Sequence, residues 1–298
     1  MPLFIITLGI LLLFLLILVL RLNAFIAFIL VGLSIGIGQG MELNTIVQSI
    51  EKGIGNTLGF LVMILGLGAM LGKLVAESGA AQKITNGLIH IFGVKNTKIA
   101  VMLTGFIVGV TMFYSVGFVI LVPLVFTVAT ATGLSLISIA LPMLAALSVT
   151  HGFLPPHPAP SALSVMFEAD MGKTLIYGMI IAIPAILISG PVLTRFIPKV
   201  EAKPLKEFMT TRVFNEEELP SFSNSLITAL LPVILIAFST LSLNFFNIEG
   251  VWFSVIKFIG NPVIALLLTV LVAPYTLGIA RGLKMDEVMK IFGKAVSG

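Results

Sequence analysis

Residues 150–160 read THGFLPPHPAP, and this stretch decides how the rest of the chain can fold. It holds two of the three histidines and four of the fifteen prolines, and apolar runs lie on both sides of it. An unpaired backbone group is costly in hydrocarbon, so a broken helix is tolerated there only where protein or a water-filled cavity surrounds it. We therefore expect this stretch to line a buried polar site.

The composition predicts an all-α polytopic membrane protein. The chain is 58% hydrophobic and 10% charged, whereas soluble domains carry about 25% charged residues. A membrane-spanning helix needs about 20 mostly apolar residues. Such runs, or parts of them, lie at 2–20, 58–71, 99–110, 117–131, 134–149, 175–193, 226–243 and 262–280. We expect roughly eight to ten membrane segments, some of them broken or re-entrant.

Short polar connections between these runs predict a topology and a division into domains. The positive-inside rule places Arg21 inside and the N-terminus outside, in a multi-pass protein of the plasma (inner) membrane. The polar linker 195–225 is rich in Lys and Arg and is expected to be cytoplasmic. It separates a membrane domain at 1–194 from a second membrane segment at 226–298, and residues 244–257 would face outside.

A second break in the apolar pattern is predicted near residues 111–117. Residues 99–131 would form a helix about 50 Å long, which exceeds the hydrocarbon core of about 30 Å. Thr111, Tyr114 and Ser115 place hydroxyl groups here, and helical spacing puts Thr104, Thr111 and Ser115 on one face. Such hydroxyls can bind a polyhydroxylated or carboxylate ligand. Hydrogen bonds between helices are the alternative.

His151 and His157 are the candidate proton-coupling groups. Histidine titrates near neutral pH, and ionisable groups inside a membrane usually mark a substrate or proton pathway. With Thr150 and Gly152 they form the predicted substrate-contacting part of a discontinuous helix, which is typical of transporter sites. The alternative is a pair of histidines at the membrane interface that cap helices or are solvated.

Other patterns predict local structure. Asn56 and Thr57 are expected to begin the helix of the 58–71 run. Pro184 should kink or end its helix. Asp170, with nearby charged residues, should cap the helix after it rather than form a gate. Glycines four residues apart, at 55 and 59 and at 105 and 109, predict closely packed helices.

The sequence offers no support for several functions. Cysteine is absent, and His, Asp and Glu show no metal-ligand spacing, so no metal or other cofactor is expected beyond the proton as coupling ion. Nucleotide-binding and hydrolase motifs are missing. The basic residues that give the net charge of +4 lie in short loops, so no nucleic-acid partner is expected. A membrane-embedded enzyme using the two histidines is disfavoured, because no nucleophile accompanies them.

Residues 148–158 (SVTHGFLPPHP) resemble the signature of the gluconate permease family, the gluconate:proton symporters. Further similar segments occur in order along the chain, at 66–73, 103–106, 116–119, 169–175 and 216–222. The resemblance implies secondary active transport of gluconate or similar sugar acids, or of D-serine as in some members. It also implies the inverted-repeat fold of the ion-transporter superfamily, with a complete first repeat and part of the second in this chain.

Two departures from the family pattern affect what is expected. The position of Ser115 is acidic in the family, so proton coupling through that residue is in question. Family members also continue well past Gly298, so the chain is expected to be a C-terminally truncated permease or one half of a split one. The expected partners are a small carboxylate substrate, the lipid bilayer, and a second copy or a missing C-terminal half. A non-functional fragment is the alternative.

Overall fold

The computed structural model describes residues 2–197 and 214–296, and all regular structure in these ranges is helical. The α-helices in the described ranges are α1 (Pro2–Phe14), α2 (Ala24–Gly38), α3 (Leu43–Glu77), α4 (Ala80–Phe92), α5 (Thr97–Thr111), α6 (Tyr114–Thr132), α7 (Leu136–Phe153), α8 (Pro158–Met166), α9 (Met171–Leu187), α10 (Phe222–Phe245), α11 (Gly250–Ile259), α12 (Pro262–Ala273) and α13 (Met285–Val296). Most of the predicted linker 195–225, at 198–213, lies outside the described residues.

Helix lengths confirm a polytopic α-helical membrane protein. By length and composition, six helical stretches of the described chain can cross a bilayer, namely Pro2–Val19, Leu43–Glu77, Leu136–Met166, Met171–Arg195, Phe222–Phe245 and Pro262–Arg281. Shorter apolar helices occur at Ala24–Gly38, Thr97–Thr111, Tyr114–Ala129 and Gly250–Ile259. The last of these forms most of the connection that the sequence placed between two spans.

The chain divides into two compact units, Met1–Val62 and Met63–Gly298. In the first unit, α1 continues as a π-helical turn at Leu15–Val19, and the two pack against α2 through a small apolar core that includes Leu16, Ala27 and Val31. The Asn23 side chain caps α2 by accepting a hydrogen bond from the Phe25 amide at 2.9 Å. This cap explains why α2 begins directly after the polar residues that follow the first span.

Helix α3 is continuous from Leu43 to Glu77, so Asn56 and Thr57 lie in its middle and do not begin a helix. The prediction was wrong because no proline interrupts residues 43–57 and isoleucines recur there every four residues, at 46, 50 and 54. That spacing is an apolar helix face. Gly55 and Gly59 have no described atom within 4 Å of their Cβ positions, so they do not form the predicted close contact.

The second unit is built around α5 and α7. One apolar core joins these two helices to α9, α10 and α12 through residues such as Val110, Ala146, Ala182 and Ile236. A second core, centred on Ile84 and Ala100, packs α4 and α10 against α5. Asp170 caps α9 by accepting a hydrogen bond from the Lys173 amide at 2.7 Å, as predicted. Helix α9 contains Pro184 and turns π-helical at Ile188–Val192.

Candidate functional site

Both predicted helix breaks are present, and both are shorter than predicted. Helix α5 ends at Thr111 and α6 begins at Tyr114, so the first break is residues 112–113 rather than 111–117. Helix α7 ends at Phe153 and α8 begins at Pro158, so the second is residues 154–157 rather than 150–160. We call them the first break and the second break.

Proline chemistry explains the limits of the second break. A proline drives the residue before it into extended backbone. Leu154, before Pro155, has φ −110° and ψ 123°, and His157, before Pro158, has φ −62° and ψ 150°. Gly152 precedes no proline and remains in α7 with Thr150 and His151. The break therefore begins at the first residue that a proline restricts.

His157 connects the two breaks. Its Nε2 lies 2.6 Å from the carbonyl oxygen of Gly109, and the side chain is only 4% exposed. A carbonyl only accepts, so Nε2–H is the donor. The last four carbonyls of a helix lack partners within it, and Gly109 is the third residue from the end of α5. The imidazole from one break thus satisfies a carbonyl that the other break has freed.

Close packing of α5 against α7 makes this geometry possible. A Cβ added to Gly109 would lie 2.2 Å from the Thr150 hydroxyl oxygen, and one added to Gly105 would lie 2.4 Å from the Met143 carbonyl oxygen. The Thr150 hydroxyl itself donates back to α7, with the Ala146 and Leu147 carbonyls as acceptors at 3.0 and 2.9 Å. The predicted packing role of the glycines at 105 and 109 is therefore confirmed.

An aromatic cluster surrounds His157. The ring centroids of His151 and His157 are 4.7 Å apart, and Phe113 from the first break lies 6.1 Å from the former and 6.4 Å from the latter. The Nδ1 atom of His151 is buried and has no hydrogen-bond partner among the described residues. A buried polar atom without a partner is unfavourable. This nitrogen is therefore suited to bind a water molecule, a proton or a ligand.

A small cavity lies beside the two breaks. Its volume is about 10 Å³, roughly the space of one water molecule. Thr111 and Phe113 line it from one side and Pro156 and His157 from the other, with Gly68 of α3 and Leu266 of α12 closing it. The Thr111 hydroxyl donates to the Val108 carbonyl at 2.9 Å. The cavity is too small for a sugar acid in this conformation.

A much larger cavity, of about 680 Å³, lies between α3, α4 and α6, and we call it the α3–α6 cavity. Ser115 lies on its wall and is exposed, and apolar residues of α6 such as Val116, Val119 and Ile120 also line it. Binding pockets for small molecules usually have volumes of about 300–1,000 Å³. The cavity is therefore large enough for a six-carbon sugar acid.

Lys73 and Glu77 line the α3–α6 cavity and were not among the predicted site residues. They form an ion pair with 3.1 Å between Lys73 Nζ and a Glu77 carboxylate oxygen, and each side chain is 40% exposed. An exposed pair of this kind contributes about 0.3–0.5 kcal/mol. The available signal was a lysine directly after the glycine-rich apolar residues 66–72.

The predicted site residues therefore fall into separate environments. His151, His157 and Thr111 lie around the breaks, Thr150 is bonded within α7, and Ser115 faces the larger cavity. Of the two remaining residues, Tyr114 stacks on Phe118 with 6.2 Å between ring centroids, and Gly152 lies in the last turn of α7. The expected common face of Thr104, Thr111 and Ser115 was wrong for Ser115, because the helix is interrupted before it.

The segment that begins at Phe214 is held against α4 at the edge of the α3–α6 cavity. The Gln82 amide donates to the Phe214 carbonyl at 2.7 Å and accepts from the Phe214 amide at 3.0 Å. Lys83 forms an ion pair with Glu216. The hydrogen bond from Lys83 lowers the pKa of the Glu216 carboxyl. Because Phe214 also lines the cavity, these contacts define one of its walls.

The described residues contain no group of three or more His, Asp or Glu side chains placed to hold a metal ion. What the described chain does contain is a membrane-embedded helical fold in which two broken helices meet at two adjacent histidines beside a cavity. This arrangement defines a class, the polytopic membrane proteins with discontinuous helices at a polar site.

The family model for GntP family permeases matches residues 1–298, and the chain belongs to this family. It is 47% identical over 289 residues to the high-affinity gluconate transporter of Escherichia coli (strain K12), covering 97% of this chain and 66% of that protein. It is 44% identical to the Gnt-II system L-idonate transporter of the same organism, covering 99% of this chain and 67% of that protein.

A third relative is the gluconate permease of Bacillus subtilis (strain 168), which is 42% identical and matches 100% of this chain and 68% of that protein. The chain thus spans about two thirds of the length of these relatives. The relatives are transporters and permeases rather than enzymes, as the sequence predicted. No solved structure matches the chain.

Proposed function

We propose that this protein transports gluconate or a similar small sugar acid across the plasma membrane by proton symport. The observation that carries the proposal is the junction of two broken membrane helices at His151 and His157, in a chain whose relatives are gluconate and L-idonate transporters. Broken helices leave backbone groups free to contact a substrate. The α3–α6 cavity beside the first break provides the necessary volume.

In the proposed mechanism the substrate reaches the α3–α6 cavity from one side of the membrane, and alternating access exposes the site to the other side. The proposed substrate contacts lie at or beside the two breaks. They are Thr111, Tyr114 and Ser115 near the first break, and Thr150, His151, Gly152 and His157 near the second. His151 and His157 are the proposed proton-coupling groups, since their rings are adjacent and one nitrogen has no described partner. An inverted-repeat architecture, with the linker 195–225 between repeats, belongs to the same proposal.

Uptake into proteoliposomes tests this function. We expect saturable entry of labelled gluconate that is faster when the outside is acidic and that stops when a protonophore removes the gradient. Binding is measured separately as thermal stabilisation, because a ligand at 100 times its Kd adds about 2.7 kcal/mol to the stability of the protein. The absence of both uptake and stabilisation with gluconate, L-idonate and D-serine would contradict the proposal. Binding without uptake would favour the alternative, a part of a carrier that requires another segment.

Cysteine labelling tests the proposed orientation, and the absence of native cysteine gives a clean background. In the proposed topology the N-terminus and residues 244–257 lie outside, and the linker 195–225 is cytoplasmic. A membrane-impermeant maleimide added to intact cells should therefore label Asn247→Cys, and it should label Glu217→Cys only after the membrane is permeabilised. The reverse pattern would overturn the orientation, and labelling of both sites in intact cells would overturn the separation of the two segments by a membrane.

A further inference from the structure

We propose that Lys73 binds the carboxylate of the transported acid and that Glu77 competes with the substrate for this lysine. This inference rests on the proposed function and assigns the charge recognition to a residue outside both helix breaks. A permease for acids must compensate the negative charge of its substrate where water is scarce. The proposed contacts at and beside the breaks contribute hydroxyl groups, a glycine and two histidines, and none of these is a permanent cation.

The α3–α6 cavity supplies the missing charge. Among the described residues that line it, the ionisable side chains are Lys73 and Glu77, and most of the others are apolar. A mostly apolar pocket with a few placed polar groups is the usual form of a small-molecule site. Lys73 provides three N–H donors on a flexible stem, which suits a mobile carboxylate. The cavity therefore has one cation available for one carboxylate.

The position of the Lys73–Glu77 pair makes it easy to open. In an i,i+4 pair, a glutamate that precedes the lysine is favourable, and the order here is the reverse. Glu77 is also the last residue of α3, where the helix dipole disfavours an anion and favours a cation. Glu77 is thus a weak partner that holds Lys73 in the cavity until a stronger anion replaces it.

Ser115 provides a second recognition point on the opposite wall. Its side chain is exposed to the cavity, and no hydrogen bond to its hydroxyl is found within the described chain. A sugar acid carries several hydroxyl groups in addition to its carboxylate, so Ser115 can bond to one of them while Lys73 holds the charged end. A neutral Ser at this position also avoids placing a second anion against the substrate.

Lys73 also lies close to the first break. A Cβ on the preceding residue, Gly72, would be 3.2 Å from the Met112 side chain and 3.5 Å from the Thr111 carbonyl oxygen. A ligand held by Lys73 therefore occupies the cavity next to the residues that must rearrange if the broken helix moves. The neighbour of Lys73 on α3 is therefore packed against the first break.

Equilibrium binding of labelled gluconate to the purified protein tests the assignment. Lys73→Gln should weaken gluconate binding at least tenfold, Lys73→Arg should retain most of it, and Glu77→Gln should strengthen it severalfold. D-glucitol, a neutral polyol of similar size, should bind equally to wild type and Lys73→Gln. Lys52→Gln, an exposed lysine on the same helix, is the matched control and should bind as wild type.

The outcomes separate this inference from the proposed function. If the wild type binds no sugar acid, the proposed function fails. If the wild type binds gluconate and Lys73→Gln binds it equally well, only the role of Lys73 fails. Should Lys73→Gln not fold, Glu77→Gln decides, because unchanged or weaker binding in that variant overturns the competition. An equal loss of D-glucitol binding in Lys73→Gln would indicate general damage to the cavity and would also overturn the assignment.

Discussion

Replacing Gly105 by alanine should destabilise the protein strongly, with a loss of about 1–3 kcal/mol, the range for overpacked cores. The added Cβ would lie 2.4 Å from the backbone carbonyl oxygen of Met143 on α7, and real Cβ atoms essentially never come within 3.0 Å of such an atom. A carbonyl within a helix cannot rotate away as a side chain can. Helices α5 and α7 must therefore separate, and a lower melting temperature in detergent would report it.

Gly59→Ala is the matched control for Gly105→Ala. It lies in a pair with the same four-residue spacing, but no described atom is within 4 Å of its Cβ position. Alanine is favoured over glycine within a helix by about 1 kcal/mol, so this variant should be as stable as wild type or slightly more stable. Similar destabilisation of both variants would contradict the close packing of α5 and α7.

Separation of α5 and α7 should also reduce transport, because the hydrogen bond between His157 and Gly109 depends on that packing.

The sequence predicted the two breaks, because prolines and an apolar run too long for one span are both visible in the local sequence. It could not predict that they meet, because His157 and Gly109 are 48 residues apart. Spacing rules describe neighbours on one helix, and this contact depends on how two helices pack.

The ends of the breaks were predicted less well than their existence. Thr150, His151 and Gly152 were expected in the broken segment, and they lie in the last turn of α7. A proline restricts the backbone of the residue before it and removes its own N–H hydrogen bond, so its effect is local.

Lys73 was not predicted as a site residue, for a different reason. A single lysine after an apolar run resembles an ordinary flanking charge, and only the fold reveals the cavity that it lines.

His157→Ala is the second prediction with a large effect, and it should reduce both stability and transport. It leaves the Gly109 carbonyl buried without its donor, and an unsatisfied buried group costs about 1–3 kcal/mol. Gluconate uptake driven by a pH gradient should fall by at least about tenfold, which corresponds to about 1.4 kcal/mol. His90→Gln alters the third histidine, which is exposed on α4, and should behave as wild type in both measurements.

His157→Gln separates the two roles of the histidine. Its amide can donate to the Gly109 carbonyl, so the melting temperature should recover most of what His157→Ala loses, but glutamine does not titrate. If His157 couples protons, uptake by this variant will no longer respond to the pH gradient although the fold is restored. If uptake remains proton-driven at the wild-type rate, His157 only holds the two breaks together, and His151, whose buried Nδ1 has no partner among the described residues, becomes the group that must carry the proton.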